Sequence, residues 1–508
     1  MGATKLSLMM GAMALLWVQS NATAQVPVRT ATTSAFSIVE ANRESWGIDS
    51  AMVGGRNAML FATGNPSLPP AAQAQIDAMR ITREPMPQLV MEMQAQNKAA
   101  NALTDPAQRQ AAKQAWQQAM NDLGREAATR SLLRDLYAPT QLQEQMTWFW
   151  FNHFNVDARK RDVRAMVGDY EDCLRAHALG HFRDLLEASL RHPVMLQYLD
   201  NDQNAAGKIN ENYAREIMEL HTMGVGSGYS QKDVQELARI LTGVGVRIQP
   251  DAPHLRPDFQ PLYVRDGLFE FNPQRHDFGD KQFLGHTIHG SGFGEVEQAL
   301  DLIAASPATA RHISTQIAQY FMGDNPPPTL IVRMTATWQR SSGDIPSVLR
   351  TLFAAPEYRA SLASGGTFKD PMHYVISAVR LAYDGQDGGR VILNADPILN
   401  WLRRMGEGLY EHETPDGYPL SAQAWTGPGQ METRFEIARA IGNGSAGLFR
   451  PRGENMVDQP AFPQLQNALY YNALAATLSP QTRAALDQAT SPQEWNMLFL
   501  ASPDFMRR

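Results

Sequence analysis

The stretch Asn210-Glu211-Asn212-Tyr213-Ala214-Arg215-Glu216-Ile217-Met218-Glu219-Leu220-His221-Thr222 decides how this chain is read. Read as a helix, it places three carboxylates, an arginine, two amides and a histidine on roughly three turns. Tyr213, Ile217, Met218 and Leu220 run through the same turns and belong in a core. Polar groups drawn toward a core must find partners or serve chemistry. On a regular helix Asn212, Glu216 and Glu219 share one face, and Glu211 and Arg215 are spaced for an ion pair. His221 falls about 200° around the axis from Glu219, so those two cannot meet on one ion. Glu216 and Glu219 can act together, as metal ligands or as a carboxyl pair with one proton affinity raised. Two readings stand side by side. One is a polar lock between helices; the other is a site in which Glu216, Glu219, Arg215 and His221 carry chemistry.

Helical patterning extends on both sides of this stretch. Residues 25–72 are rich in Thr, Ser, Asn, Gly and Pro and read as a flexible lead-in. Residues 73–139 are dominated by good helix formers and read as an exposed helical arm. It is broken near Thr104-Asp105-Pro106, where Asp caps and Pro opens a helix. Residues 140–508 read as the main helical domain. Met146 to Val156 is almost wholly apolar and aromatic, which predicts a helix buried on most sides. Ser230 with Asp233 marks a capping box opening Gln231 to Leu241. Between 244 and 293 the pattern turns to alternation around Asp266-Gly267, a hairpin signal. The fold class expected is therefore mainly α: a multi-helical globular body with a small β-hairpin excursion.

At 508 residues and 44% hydrophobic, the chain can build a substantial core. Its net charge of −7 and the absence of a basic stripe argue against a nucleic-acid partner. Lys5, the apolar run Leu6 to Val18 and Ala22-Thr23-Ala24 form an export signal, residues 1–24, with cleavage before Gln25. A periplasmic or secreted location follows, with no transmembrane segment after signal removal. Cys173 is the single cysteine, so no internal disulfide helps the fold, and its acidic neighbours make it a poor nucleophile. No nucleophile elbow, phosphate loop, dinucleotide fingerprint or paired CxxC is present.

Several further segments form an ordered set. Trp148-Phe149-Trp150-Phe151-Asn152-His153-Phe154-Asn155-Val156 precedes the focal helix, and Tyr229 to Arg239 follows it. Phe271-Asn272-Pro273 with His276-Asp277, Ser306-Pro307-Ala308-Thr309-Ala310-Arg311, and Asp416-Gly417-Tyr418-Pro419 with Trp425 complete it. This set resembles the bacterial domain-of-unknown-function 1800 family over roughly residues 140 to the end. The resemblance implies an exported, mostly helical bacterial protein, often encoded beside a second secreted family that resembles sulfatases. It implies no established reaction.

His153 lies in the aromatic helix, where a histidine either gives one hydrogen bond in the core or acts as a ligand. His177 and His181 have the i,i+4 spacing of a metal pair, without the glutamate of zinc proteases. His276 follows the hairpin on a loop, where binding groups collect, and with Asp277 or Asp280 can orient a base or hold a cation. The candidate metal ligands are thus His153, Glu216, His276 and Asp277, for a divalent ion. Two functions are expected from these residues. The first is a metal-assisted hydrolase acting on an envelope or exogenous polymer, its site where the focal helix, the His153 helix and the His276 loop converge. The second is a non-enzymatic helical scaffold or binding protein of the envelope, paired with the sulfatase-like protein.

Overall fold

Desolvating one helix on every side organises the rest of the chain. In the computed structural model, which describes residues 35–50, 60–64, 67–363, 366–384, 390–453 and 462–508, that helix is Gln141–His153. All of its residues are buried, polar ones included. Trp150, fully buried, donates from Nε1 to the Ala178 carbonyl at 3.0 Å, so its one polar atom is matched. Glu144 is paired with Arg175 at 2.6 Å, and Gln141 donates to the carbonyls of Asp135 and Ala138. The helix starts earlier than the apolar run suggests because these polar residues are satisfied by neighbours rather than by water.

Around it the fold is mainly helical. Val167–His177 packs on the buried helix, and Phe182–Arg191 packs on Val167–His177. Gly180 lies in the break between these two helices. Asp105 caps Pro106–Tyr137 by accepting from Gln108 N, as the sequence predicts. That helix and Met86–Ala102 pack together. They are an exposed arm only in part, since Leu132, Leu133 and Leu136 at the far end enter the common core. Ala and Gln richness hides this, because one long helix has a wet end and a dry end. The expected lead-in also differs. Ala35–Arg43 is helical and Trp46 is fully buried, with Arg43 donating to the Phe321 and Arg508 carbonyls. The described residues form one unit by their contacts. The export signal lies outside the described residues.

The β excursion is present. β1 (Val244–Val246), β2 (Val264–Asp266) and β3 (Phe269–Phe271) form an antiparallel sheet in the order β1-β3-β2. Asp266 lies opposite Phe269, so Gly267-Leu268 is the two-residue turn, with Gly267 at φ 55°. β4 (Lys281–Phe283) and β5 (His286–Ile288) make a second hairpin. Among the described residues no helix is long and apolar enough to cross a membrane.

The later helices include Gly294–Ala305, Pro307–Met322, Pro328–Arg340, Ile345–Phe353 and Pro371–Ala382. Pro307–Met322 matters most below, because it lies across from the end of the focal helix.

Candidate functional site

The focal helix is not regular to its end. Asn212–Glu216 is α-helical, and Ile217–His221 widens into a π-turn. Single π-turns inside helices are often found at functional sites. Its physical basis lies in the carbonyls that a helix end leaves without donors. Thr222 Oγ1 donates to the Ile217 carbonyl at 2.6 Å, and Gly224 N donates to that of Met218 at 3.1 Å. His153 Nε2 donates to the His221 carbonyl at 2.9 Å, and the Leu220 carbonyl stands beside the His312 ring. Two imidazoles from other helices thus help close the end of this one.

That duty fixes their chemistry. A carbonyl only accepts, so His153 carries its proton on Nε2. Burial pushes its proton affinity down to about 3, and the His221 carbonyl pulls weakly the other way. His221 is itself buried and held well below its usual range, by desolvation and then by His153. The two rings lie 6.0 Å apart. Burial also lowers His312. His312 packs against Gly224, where a Cβ would sit 2.8 Å from Nδ1 and φ is +87°. Only glycine fits there.

Asn152 makes the second connection. Its Nδ2 donates to the Tyr418 carbonyl at 2.9 Å and its Oδ1 accepts from Tyr418 N at 2.6 Å. This clamp fastens Asp416-Gly417-Tyr418-Pro419 to the end of the buried helix. Gly417 is required there, since a Cβ would meet the Asn152 carbonyl oxygen at 2.1 Å.

These connections leave a cleft of about 680 Å³. Asn152, His153, Glu219, Arg311, His312, Gln316, Asp416 and Tyr418 are among its lining residues. Ala308, Arg311, His312, Thr315 and Gln316 reach it together because they share one face of Pro307–Met322. Three polar atoms in its wall are buried without a hydrogen-bond partner: His312 Nε2, Gln316 Oε1 and Ser227 Oγ.

The expected site residues divide on this geometry. Glu219 and His153 line the cleft. Glu216 lies behind it and is raised above the usual carboxylate range, first by burial, then by Glu219, with Asp416 adding. Arg215 is engaged elsewhere, bonded to Glu219, Glu211 and Gln231 at 3.0–3.3 Å, while Gln231 closes the ring onto Glu211. His221 sits beneath the lining and contributes its carbonyl.

His276 and Asp277 do not line the cleft. Buried His276 is bonded to the Thr242 carbonyl at 2.8 Å and to Glu295 at 2.9 Å, and Lys281 also binds Glu295. Burial alone would raise Glu295, but His276 and Lys281 hold it down to about 2. Asp277 forms a two-point pair with Arg239. The expected convergence therefore fails at its third member. The loop residues are consumed by a lock inside the β excursion. Among the described residues no group of three or more His, Cys, Asp or Glu is disposed to hold a metal ion. His177 and His181 do not form a pair either. His177 bonds the Cys173 carbonyl, and exposed His181 bonds that of Ser342 across the Gly180 break. Cys173 is structural in its surroundings, its thiol pushed up to about 12 by burial.

The sequence reading gave no role to Arg311, His312, Gln316, Asp416 and Tyr418. The signal was the i, i+3, i+4 and i+7 pattern of polar residues from Ala308, and the Asp-Gly-Tyr-Pro turn.

A multi-helical body with a polar cleft built on the end of a buried aromatic helix is the class this geometry defines. The chain belongs to the family described as "Protein of unknown function (DUF1800)", whose model matches residues 51–507. That match reaches well before residue 140, so Met86–Ala102 and Pro106–Tyr137 fall within it. No curated protein and no solved structure matches the chain.

Glu295→Ala, which strands buried Lys281, is expected to cost about 3–5 kcal/mol in urea unfolding; a loss below about 1 kcal/mol contradicts the lock. Because Glu295 is held below its unfolded value of 4.5, the lock contributes fully above that pH. Its contribution disappears as pH falls from 4.5 toward 2. The variant should therefore show a shallower acid slope than the parent over that window.

Gly224→Ala should cost about 1–3 kcal/mol from backbone strain and displace His312. An unchanged unfolding midpoint would refute the close approach.

Proposed function

We propose that the protein is an exported hydrolase acting on an envelope or exogenous polymer, with its working site in the cleft beside the π-turn. The observation that carries this reading is the meeting of groups remote in sequence around one opening. Asn152 and His153, Glu219, Arg311, His312 and Gln316, and Asp416 and Tyr418 all reach it, and part of its polar wall lacks protein partners. The lock of His276 with Glu295 and Lys281, by contrast, satisfies its members. A cleft that brings polar groups together without satisfying them is suited to a ligand.

Glu219 and Asp416 are the carboxylates facing the opening, and they take the acid–base roles. Glu216 acts as a positioning group beside them, its own proton affinity raised by burial and then by Glu219, with Asp416 adding. Two carboxyls facing one opening suit hydrolysis by general acid and base. Arg215 braces Glu219 instead of clamping an anion. Export is supported by Lys5, the apolar run from Leu6 and the Ala22-Thr23-Ala24 site.

The second reading, a scaffold paired with a secreted sulfatase-like protein, is favoured by one observation. Arg215, Glu211 and Gln231 form a closed ring that needs no substrate.

The test is release of new chain ends from a panel of polysaccharides and envelope polymers by the full exported protein. Glu219→Gln should lower the rate by about 100-fold or more with an unchanged unfolding midpoint. An undiminished rate in that variant removes the chemistry from the cleft, and no turnover of any polymer by the parent favours the scaffold.

A further inference from the structure

The cleft holds an imbalance of donors and acceptors that narrows its ligand, an inference that rests on the cleft being the working site. Its polar lining carries donors in the Ser227 hydroxyl, the Gln316 amide and Arg311, and acceptors in greater variety. Glu219 and Asp416 bring carboxylates, and Gln316 Oε1 is enclosed without a donor. His312 adds a lone pair. The Leu220 carbonyl beside its ring can only accept, and Nε2 has no partner, so Nδ1 holds the proton and Nε2 is left as an acceptor. Against these stands one free cation. Arg311 is exposed on the same helix face, and no ion pair or side-chain hydrogen bond engages its guanidinium among the described residues. Tyr418 and Phe149 add flat apolar faces.

A matching ligand must bring many hydroxyl donors, a flat apolar face and a negative charge for Arg311. A peptide supplies backbone donors and acceptors in equal number and leaves the surplus acceptors unmet. A polyphosphate brings neither hydroxyl donors nor an apolar face for the remaining lining groups. We propose that the cleft binds an acidic polysaccharide, a chain of hydroxylated rings bearing carboxylates. Arg311 holds one carboxylate, and Glu219, Gln316 and His312 accept from ring hydroxyls. The planar guanidinium fork of Arg311 suits a carboxylate at two points, which a lysine does not reproduce.

The test is calorimetric titration of the full-length exported protein with tetragalacturonate, maltotetraose and tetra-aspartate. Tetragalacturonate should bind at least about tenfold tighter than either of the others, the scale of one charge-assisted contact. Arg311→Gln should abolish that preference over maltotetraose, and Arg311→Lys should restore it only in part. Both variants change an exposed side chain, so their unfolding midpoints should match the parent. Equal affinity for the acidic and neutral sugars, tighter binding of tetra-aspartate, no binding of any of the three, or an Arg311→Gln variant that keeps the preference each overturns the proposal. The two readings fail separately. Glu219→Gln losing activity on another polymer, with tetragalacturonate unbound, sinks the ligand class and leaves the cleft as the working site. Tetragalacturonate binding with Glu219→Gln fully active does the reverse.

Discussion

Two adjacent side chains at the dry end of one helix set the geometry on which everything else rests. Asn152 and His153 end Gln141–His153 at a largely buried point on the wall of the cleft, so each takes its main partners in the protein. Asn152 takes the backbone of Tyr418 and His153 takes the carbonyl of His221. Segments more than 60 and more than 260 residues away in the chain are thereby fixed against one helix end. The aromatic residues preceding them make this constraint strict. Phe149, Trp150 and Phe154 pack around the His153 ring and leave it no alternative rotamer in water.

The same physics yields different outcomes in two polar clusters of this molecule. In the β excursion, His276, Glu295 and Lys281 satisfy one another away from solvent, and Arg239 covers Asp277. Such a network fixes geometry and has little left to offer a ligand. At the π-turn the polar groups are brought together by backbone bonds, while several outward atoms stay unmatched. Bringing polar atoms together without pairing them costs stability, and it persists here because the helix end, the Gly224 turn and the Asn152 clamp all depend on it.

What was legible in the sequence follows from the range of each interaction. The Ser230–Asp233 capping box, the Asp105 cap and the Gly267 turn are local, and each appears where its residues predict. The burial of the aromatic helix was legible too, because period and composition agree. The π-turn was not, since its cause is the arrival of His153 and His312 from other helices. Glu219 and His153 could be singled out as polar residues in apolar company. His276 looked equally promising on a loop, but its partner Glu295 belongs to a helix that no spacing rule connects with it. Asp416 and Tyr418 reach the cleft only through Asn152, a contact across more than 260 residues.

The most direct test is the imidazole nitrogen chemical shifts of the histidines, followed by NMR from pH 7 to pH 4. Burial against the π-turn requires His153 to remain neutral, protonated on Nε2, throughout this range. A ring that instead gains a second proton near pH 6.5 would be in contact with water, and the helix end would not hold the cleft together.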